Sequence, residues 1–502
     1  MDAVATAPDQ AKAAPAPFAR LPVALLAAGV AGALLLTAGR YGYFGDELYF
    51  LAAGRHLAWG YADQPPLVPF LAWAMDRVAP GSLVVFRLPA IAATAAGVVV
   101  TALLARELGG QRKAQARAAA AYAICGQFVG SGHYLATSTI DPLLWTLVLW
   151  LLVRWVRTRH DLLLVWAGVV TAVALNDKVL IGAFWVVAAL AVLAFGPREL
   201  LRRPKLRLGA LIAAGSLVPT LLWQRANGWP QLGMGDAVGA EVDAAGGRES
   251  FVPDLLAGAG WVIGALGVLY GVAVLVGSEQ LRPYRFLGWT ALGVIAVFVV
   301  ANGRYYYAAG MFGVLWAAAA VHLEARAPAR WWRWVPTWPV FVLSALFSLP
   351  FTLPVWPAHF LVDHPDAPRP AYAAEEIGWP DLASDVAALH RTAPPDTAIV
   401  TGGYWQAGAL GRYGPGYGLP QAYSPSRGFW YFGRPDDHAD NVLFVGYDPS
   451  KAVKYFRDAR IVGQVGNRLG IRNAGAHMPV WLLTGRTASW AEIWPGLKDM
   501  RA

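Results

Sequence analysis

The 502-residue chain has one cysteine, Cys125. That excludes an intrachain disulfide, and no Cys/His spacing of a zinc module accompanies it. Charge is scarce as well: Asp, Glu, Lys and Arg make up 15% of the residues, against about a quarter in soluble domains. The opening stretch MDAVATAPDQAKAAPAPFAR lacks the short apolar core and small-residue cleavage site of a secretory signal. The apolar segment after it is therefore expected to be retained. No internal repeat is visible either, which weakens any reading built on duplicated halves.

Apolar residues dominate instead. They make up 57% of the chain, and mean hydropathy is +0.42. Twenty-three tryptophans and 19 tyrosines suit a protein with many membrane–water interfaces. This is the composition of an integral membrane protein. Eleven apolar segments stand near 21–41, 87–105, 116–132, 142–156, 161–175, 179–195, 208–223, 254–276, 286–301, 305–322 and 334–352. With the N-terminus inside the cell, every second loop is basic, from Arg106, Arg112, Lys113 and Arg117 through Arg154, Arg157 and Arg159 to Arg326, Arg330 and Arg333. Basic loops are cytoplasmic loops, so the net charge of +9 speaks for topology and not for nucleic acid. An odd number of spans puts the C-terminus outside.

Three outer features follow. Loop 42–86 has two helix-compatible stretches parted by Pro65-Pro66, and Leu67, Leu71, Ala74 and Val78 share a face of the second, as in a helix lying in the interface. Loop 224–253 is Gly-rich and expected to be mobile. The tail 354–502 mixes short β-like runs (397–403, 441–448, 460–466) with helical stretches such as 381–391. The expected organisation is a disordered cytoplasmic N-terminus (1–20), a mainly α transmembrane domain (21–353) and an extracytoplasmic α/β domain (354–502).

Ionisable groups at a membrane edge are costly and mark function by default. On the outer side, Asp46 and Glu47 open the first loop in YGYFGDELYF (41–50), and Asp63 lies in GYADQPPL (60–67). His133 and Asp141 bracket HYLATSTID, Asp177 and Lys178 sit in ALNDKVL, and Arg304 opens GRYYYAAG. No comparable set of carboxylates is expected on the cytoplasmic side. Transfer from a lipid phosphate needs a carboxylate base for the acceptor hydroxyl and cations for the phosphate leaving group. Each residue also has a plainer reading. Asp46 can cap a helix, with Glu47 matching its dipole or pairing with Arg55 or His56. Asp141-Pro142 is a common helix start, Lys178 and Arg304 suit interfacial anchors, and His133 suits a hydrogen-bonded interfacial histidine.

The stretch DELYFLAAGRHLAWGYADQPPL (46–67) resembles the first-loop motif of the protein O-mannosyltransferase-like glycosyltransferases (family 39), the group that includes aminoarabinose transferases. The likeness runs on in order through STIDPLLW (138–145), LNDKVL (175–180), PTLLWQRANGWPQL (219–232), GRYYYAAG (303–310) and GGYWQAGALGRYG (402–414). It implies a C-type membrane glycosyltransferase that takes sugar from a polyprenyl-phosphate donor with inversion. The acceptor is a lipid, a glycan, a protein or a secreted small molecule. By the same resemblance Asp46 is the base, with Glu47 as a second catalytic candidate, and Asp141 supports the base or helps to bind a metal. Lys178 and Arg304 face the donor phosphate, while Tyr305 and Tyr306 line the pocket. Asp63, Asp141 and His133 are the candidate ligands of an optional Mg²⁺ or Mn²⁺, hard cations that favour oxygen, although no ligand spacing demands a metal. Gln64 departs from the pattern, because aminoarabinose transferases carry a basic residue beside the prolines. The competing reading is a transporter or flippase of lipid-linked sugars, whose charges would lie nearer the midplane.

Overall fold

The computed structural model describes residues 15–326, 328–466, 468–471 and 473–500. Residues 1–14, most of the N-terminus expected to be disordered, lie outside them. All eleven expected apolar segments are helical in whole or part. Among the described residues, six helices are long and apolar enough to cross a bilayer: Arg20–Thr37, Leu83–Glu107, Thr137–Thr158, Pro204–Ala226, Arg282–Val300 and Tyr305–Ala325. Gly247–Gly258 and Trp261–Gly277 are apolar and long enough only when taken together, and they are bent by 107° at their junction, as in a broken span or a re-entrant loop. Three more apolar helices, Leu162–Asp177, Ile181–Phe195 and Trp338–Thr352, are shorter. At 1.5 Å per residue they reach only about 24 Å, less than the ~30 Å of a hydrocarbon core. The segment 116–132 does not form one span. It breaks at Ile124 and Cys125 into Arg112–Ala123 and Gly126–Ser131. Large apolar side chains such as Leu36, Val186, Leu190 and Leu211 stay exposed on these helices, a surface that lipid covers.

The ends of the bundle away from Asp46 also carry carboxylates, contrary to the expectation from sequence. Glu107 is buried and pairs with Arg157 at 2.6 Å, Asp161 pairs with Arg203 at 3.6 Å, and Glu199 pairs with Arg159. The basic loops recruit acids to neutralise their own crowding, which a count of loop cations does not reveal.

Loop 42–86 folds into the helices Gly45–Arg55 and Leu67–Val78. In the second, Val68, Pro69 and Ala72 are buried against the protein, while Phe70 and Val78 are exposed. Loop 224–253 is helical, over Pro230–Gly233, Met234–Ala244 and the start of Gly247–Gly258. Its glycines do not prevent helix formation.

The tail holds a five-stranded sheet of order β2-β1-β3-β5-β4, with β1 at Thr397–Thr401, β2 at Ala422–Tyr423, β3 at Asn441–Val445, β4 at Phe456–Val465 and β5 at Met478–Arg486. β1 runs parallel to both β2 and β3, whereas β5 is antiparallel to β3 and β4. Ile399, Leu443 and Leu482 join the main core with Leu382 and Val386 of the helix Trp379–Thr392. The alternate residues Val400, Val442 and Phe444 pack with Trp490, Ile493 and Trp494. Both faces of β1 and β3 are thus covered, which is why these strands read as nearly unbroken apolar runs.

Candidate active site

Asp46 stands in the first turn of Gly45–Arg55, where the helix dipole favours a carboxylate. It does not cap the helix. Glu47 does so, accepting the Phe44 N–H at 2.9 Å through Oε2. Asp46 Oδ1 accepts the Tyr404 hydroxyl and the Trp405 indole N–H, both at 2.8 Å. Its Oδ2 has no hydrogen-bond partner among the described residues. Tyr404 and Trp405 open the helix Tyr404–Tyr413, directly after β1. Gly45 makes this junction possible, since a Cβ there would overlap the Trp405 ring, and one at Gly408 would come within 2.9 Å of Leu48.

Arg427 follows β2 and has a left-handed backbone, with φ of 46°. Because β1 and β2 are parallel neighbours, Tyr404, Trp405 and Arg427 all leave the same edge of the sheet. In open α/β sheets that edge, beyond the carboxyl ends of the strands, is where ligands bind. The Arg427 guanidinium lies 4.8 Å over the Tyr404 ring and donates to its hydroxyl at 3.3 Å. Glu241, from the helix Met234–Ala244, joins Arg427 to Arg304 by giving one carboxylate oxygen to each. Arg304 also donates to the Tyr306 hydroxyl at 2.8 Å. Lys178 sits over the rings of Tyr306 and Tyr307, at 5.1 and 4.2 Å.

Two cavities meet here. The first, about 340 Å³, is bounded by Asp63, Asp177, Lys178 and Tyr307. The second, about 370 Å³, is bounded by Phe44, Asp254, Tyr305, Tyr372 and Trp405. Asp46, Ser138, Arg304, Tyr306, Tyr404 and Arg427 line both. Asp63 accepts the Tyr49 hydroxyl at 2.7 Å. Burial raises the Asp63 carboxyl above its ordinary range, with Arg427 pulling the other way. Burial, then the charge of Asp46, holds the Tyr404 hydroxyl well above its usual range, so it remains a donor. Asp177 is buried with both carboxylate oxygens unpartnered among the described residues.

Of the residues singled out from sequence, Asp46, Asp63, Lys178, Arg304, Tyr305 and Tyr306 line one or both cavities. Glu47, Asp141 and His133 line neither. Glu47 is fully buried and pairs with Arg87, not with Arg55 or His56, at 2.7 and 3.0 Å. It also accepts the Leu135 N–H at 2.9 Å. His133 joins the same cluster, 2.9 Å from Arg87 and 3.2 Å from Glu376. Asp141 accepts the Trp145 indole N–H at 2.9 Å. The donor set proposed for a metal is therefore scattered, with Asp63 on Tyr49, Asp141 on Trp145 and His133 on Arg87. No group of three or more His, Cys, Asp or Glu among the described residues is placed to hold an ion. These residues do not fit a metal centre. Sequence reasoning passed over Arg427, Glu241 and the carboxylate-binding role of Tyr404 and Trp405. The last two lie in the motif GGYWQAGALGRYG, so a signal for them was present.

Comparison with known proteins agrees with this architecture. Residues 63–223 match the family model described as dolichyl-phosphate-mannose-protein mannosyltransferase. No curated protein gives a significant match. Among solved structures, the chain is similar to ArnT from Cupriavidus metallidurans in the apo state, with 15% identity, a TM-score of 0.59, and 92% of this chain and 97% of ArnT covered. It is similar over the same shares to ArnT bound to undecaprenyl phosphate, at 16% identity and a TM-score of 0.60. The chain is a multi-pass membrane protein of the C-type glycosyltransferase fold. The likeness extends from the first outer loop into the tail.

Proposed function

We propose that the chain is a membrane glycosyltransferase that moves a sugar from a polyprenyl phosphate to an acceptor hydroxyl on the extracytoplasmic face. The observation that carries this reading is Asp46, half-buried in the wall between two cavities with one carboxylate oxygen unclaimed. That oxygen takes the hydroxyl proton as the acceptor attacks the anomeric carbon. The bond from this carbon to the carrier phosphate breaks, and its electron pair leaves with the phosphate. Attack from the face opposite the leaving group inverts the centre. Lys178, Arg304 and Arg427 offset the charge that builds on the phosphate. Tyr404 and Trp405 hold Asp46 in one orientation, which lowers the reorganisation the reaction requires.

The structural likeness to ArnT, solved with undecaprenyl phosphate, supports a polyprenyl-phosphate donor. Arg427 supplies from the tail a cation that Gln64 does not supply from the first loop. The alternating basic loops support a cytoplasmic N-terminus and an outer site, with the division between membrane and outer domains near 353/354. Glu47 and His133 act as positioning residues through Arg87, and Asp141 acts through the helix that carries it.

The test is transfer of labelled sugar from a polyprenyl-phosphate donor by the purified protein. Asp46→Asn is expected to lower transfer by about 10²- to 10⁴-fold while polyprenyl-phosphate binding persists. Full activity in that variant, or no transfer by the wild type over a broad panel, would end this reading. Movement of lipid-linked sugar across vesicles without transfer would favour the flippase.

A further inference from the structure

We propose that the second cavity is the acceptor site and that the acceptor is a carbohydrate bearing no phosphate of its own, a reading that rests on the glycosyltransferase function above. The two cavities share a wall but differ in their far sides. The far side of the first carries a cation, Lys178, beside the carboxyls of Asp63 and Asp177. The far side of the second carries none. Its only cations among the described residues, Arg304 and Arg427, belong to the shared wall and are already engaged by Glu241.

What marks the far side of the second cavity is a carboxylate without a cation beside it, set among aromatic rings. Asp254 lines it with no hydrogen bond or ion pair to any described residue. The cations within reach, Arg304 and Arg427, are already shared by Glu241 and, on the proposed function, by the donor phosphate. An anionic acceptor would therefore meet the Asp254 carboxylate with no cation of its own to offset the repulsion. A purely apolar acceptor would bury it unpaired, a large penalty for a carboxylate taken out of water with no donor to satisfy it. A sugar satisfies both demands. Its hydroxyls donate to carboxylates, which accept only, and its C–H faces lie against aromatic rings. Such rings are presented: Tyr372, an exposed tyrosine, lines the cavity with its ring centroid 5.9 Å from those of both Phe44 and Tyr134. Asp46 borders the same space, so a hydroxyl of the bound ring has access to the unclaimed oxygen.

The experiment measures acceptor binding to the full-length purified chain, with the phosphate site saturated by polyprenyl phosphate and no sugar donor, by saturation-transfer NMR and calorimetry. The probes are a neutral oligosaccharide, a phosphorylated sugar headgroup and a Ser/Thr-rich peptide. The neutral oligosaccharide is expected to bind best. Tyr372→Ala is expected to weaken it about tenfold, equivalent to 1.4 kcal/mol, and Asp254→Asn several-fold. Neither variant is expected to change polyprenyl-phosphate binding. Stronger binding of the phosphorylated headgroup or of the peptide would overturn the proposal. So would oligosaccharide affinity left unchanged by both substitutions. Because no donor is present, a chain that binds oligosaccharide in this way but transfers nothing supports the cavity assignment and sinks the transferase reading instead.

Discussion

Glu241 holds two guanidinium groups with one carboxylate, the arrangement that a phosphate would also adopt between Arg304 and Arg427. Donor binding must therefore displace or share that carboxylate. Glu241→Gln is expected to tighten polyprenyl-phosphate binding about tenfold, which is 1.4 kcal/mol, in a direct binding assay. Weaker binding would show instead that Glu241 merely holds the two cations in place. At this scale the sequence was partly legible. Asp46 was readable because a carboxylate right after a long apolar run has few plain explanations. Arg427 was not, because one arginine beside the aromatic run GFWYF looks like any surface cation until β2 aims it at the first loop. Glu241 was hidden in a glycine-rich stretch that invites no structural reading. Glu47 misled by adjacency, since a helix turns neighbouring residues about 100° apart and sends Glu47 to the core.

The helix Gly45–Arg55 and the helix Tyr404–Tyr413 meet almost without side chain between them, at Gly45 and Gly408. Helix propensity alone favours Ala over Gly by about 1 kcal/mol. Overlap with Trp405 argues the reverse, so Gly45→Ala is expected to destabilise the protein by about 1–3 kcal/mol and to lower transfer by loosening Trp405 from Asp46. A higher melting temperature with unchanged activity would refute the close approach. Gly45 is needed for this close approach and not for a turn: its φ is not positive, whereas Gly42 is the left-handed residue, at φ 142°. Elements with strong periodicity or β-like runs were legible, including β1, β3, β4 and the helix Trp379–Thr392. The break at Cys125 and the 107° bend after Gly258 were not, since apolar composition continues across both.

Across the whole molecule, membrane portion and tail are joined by a buried cluster. Arg87 donates to Glu47, to the Ala38 and Gly42 carbonyls and towards His133, and lies 3.3 Å from Glu376 of the tail. Burial pushes the Glu376 carboxyl well above its ordinary value of 4.5, with Arg87 opposing. Burial, then Arg87, holds His133 well below its ordinary 6.5. Two carboxylates, Glu47 and Glu376, thus face one guanidinium. The signs follow. Glu376 contributes stability in full below 4.5 that is lost as pH rises towards its folded value. His133 contributes stability above 6.5 that is lost as pH falls. Glu376→Gln is therefore expected to gain in melting temperature relative to the wild type as pH rises above about 4.5, and a difference flat in pH would rule this out. The same long-range join sets a clock on synthesis. Asp46 and Tyr404 are 358 residues apart, and at 5–20 residues per second the second is made roughly 20 to 70 s after the first. During that interval Asp46 has neither the Tyr404 and Trp405 donors that hold it nor Arg427 beside it, so the candidate site stays incomplete until the tail has been made.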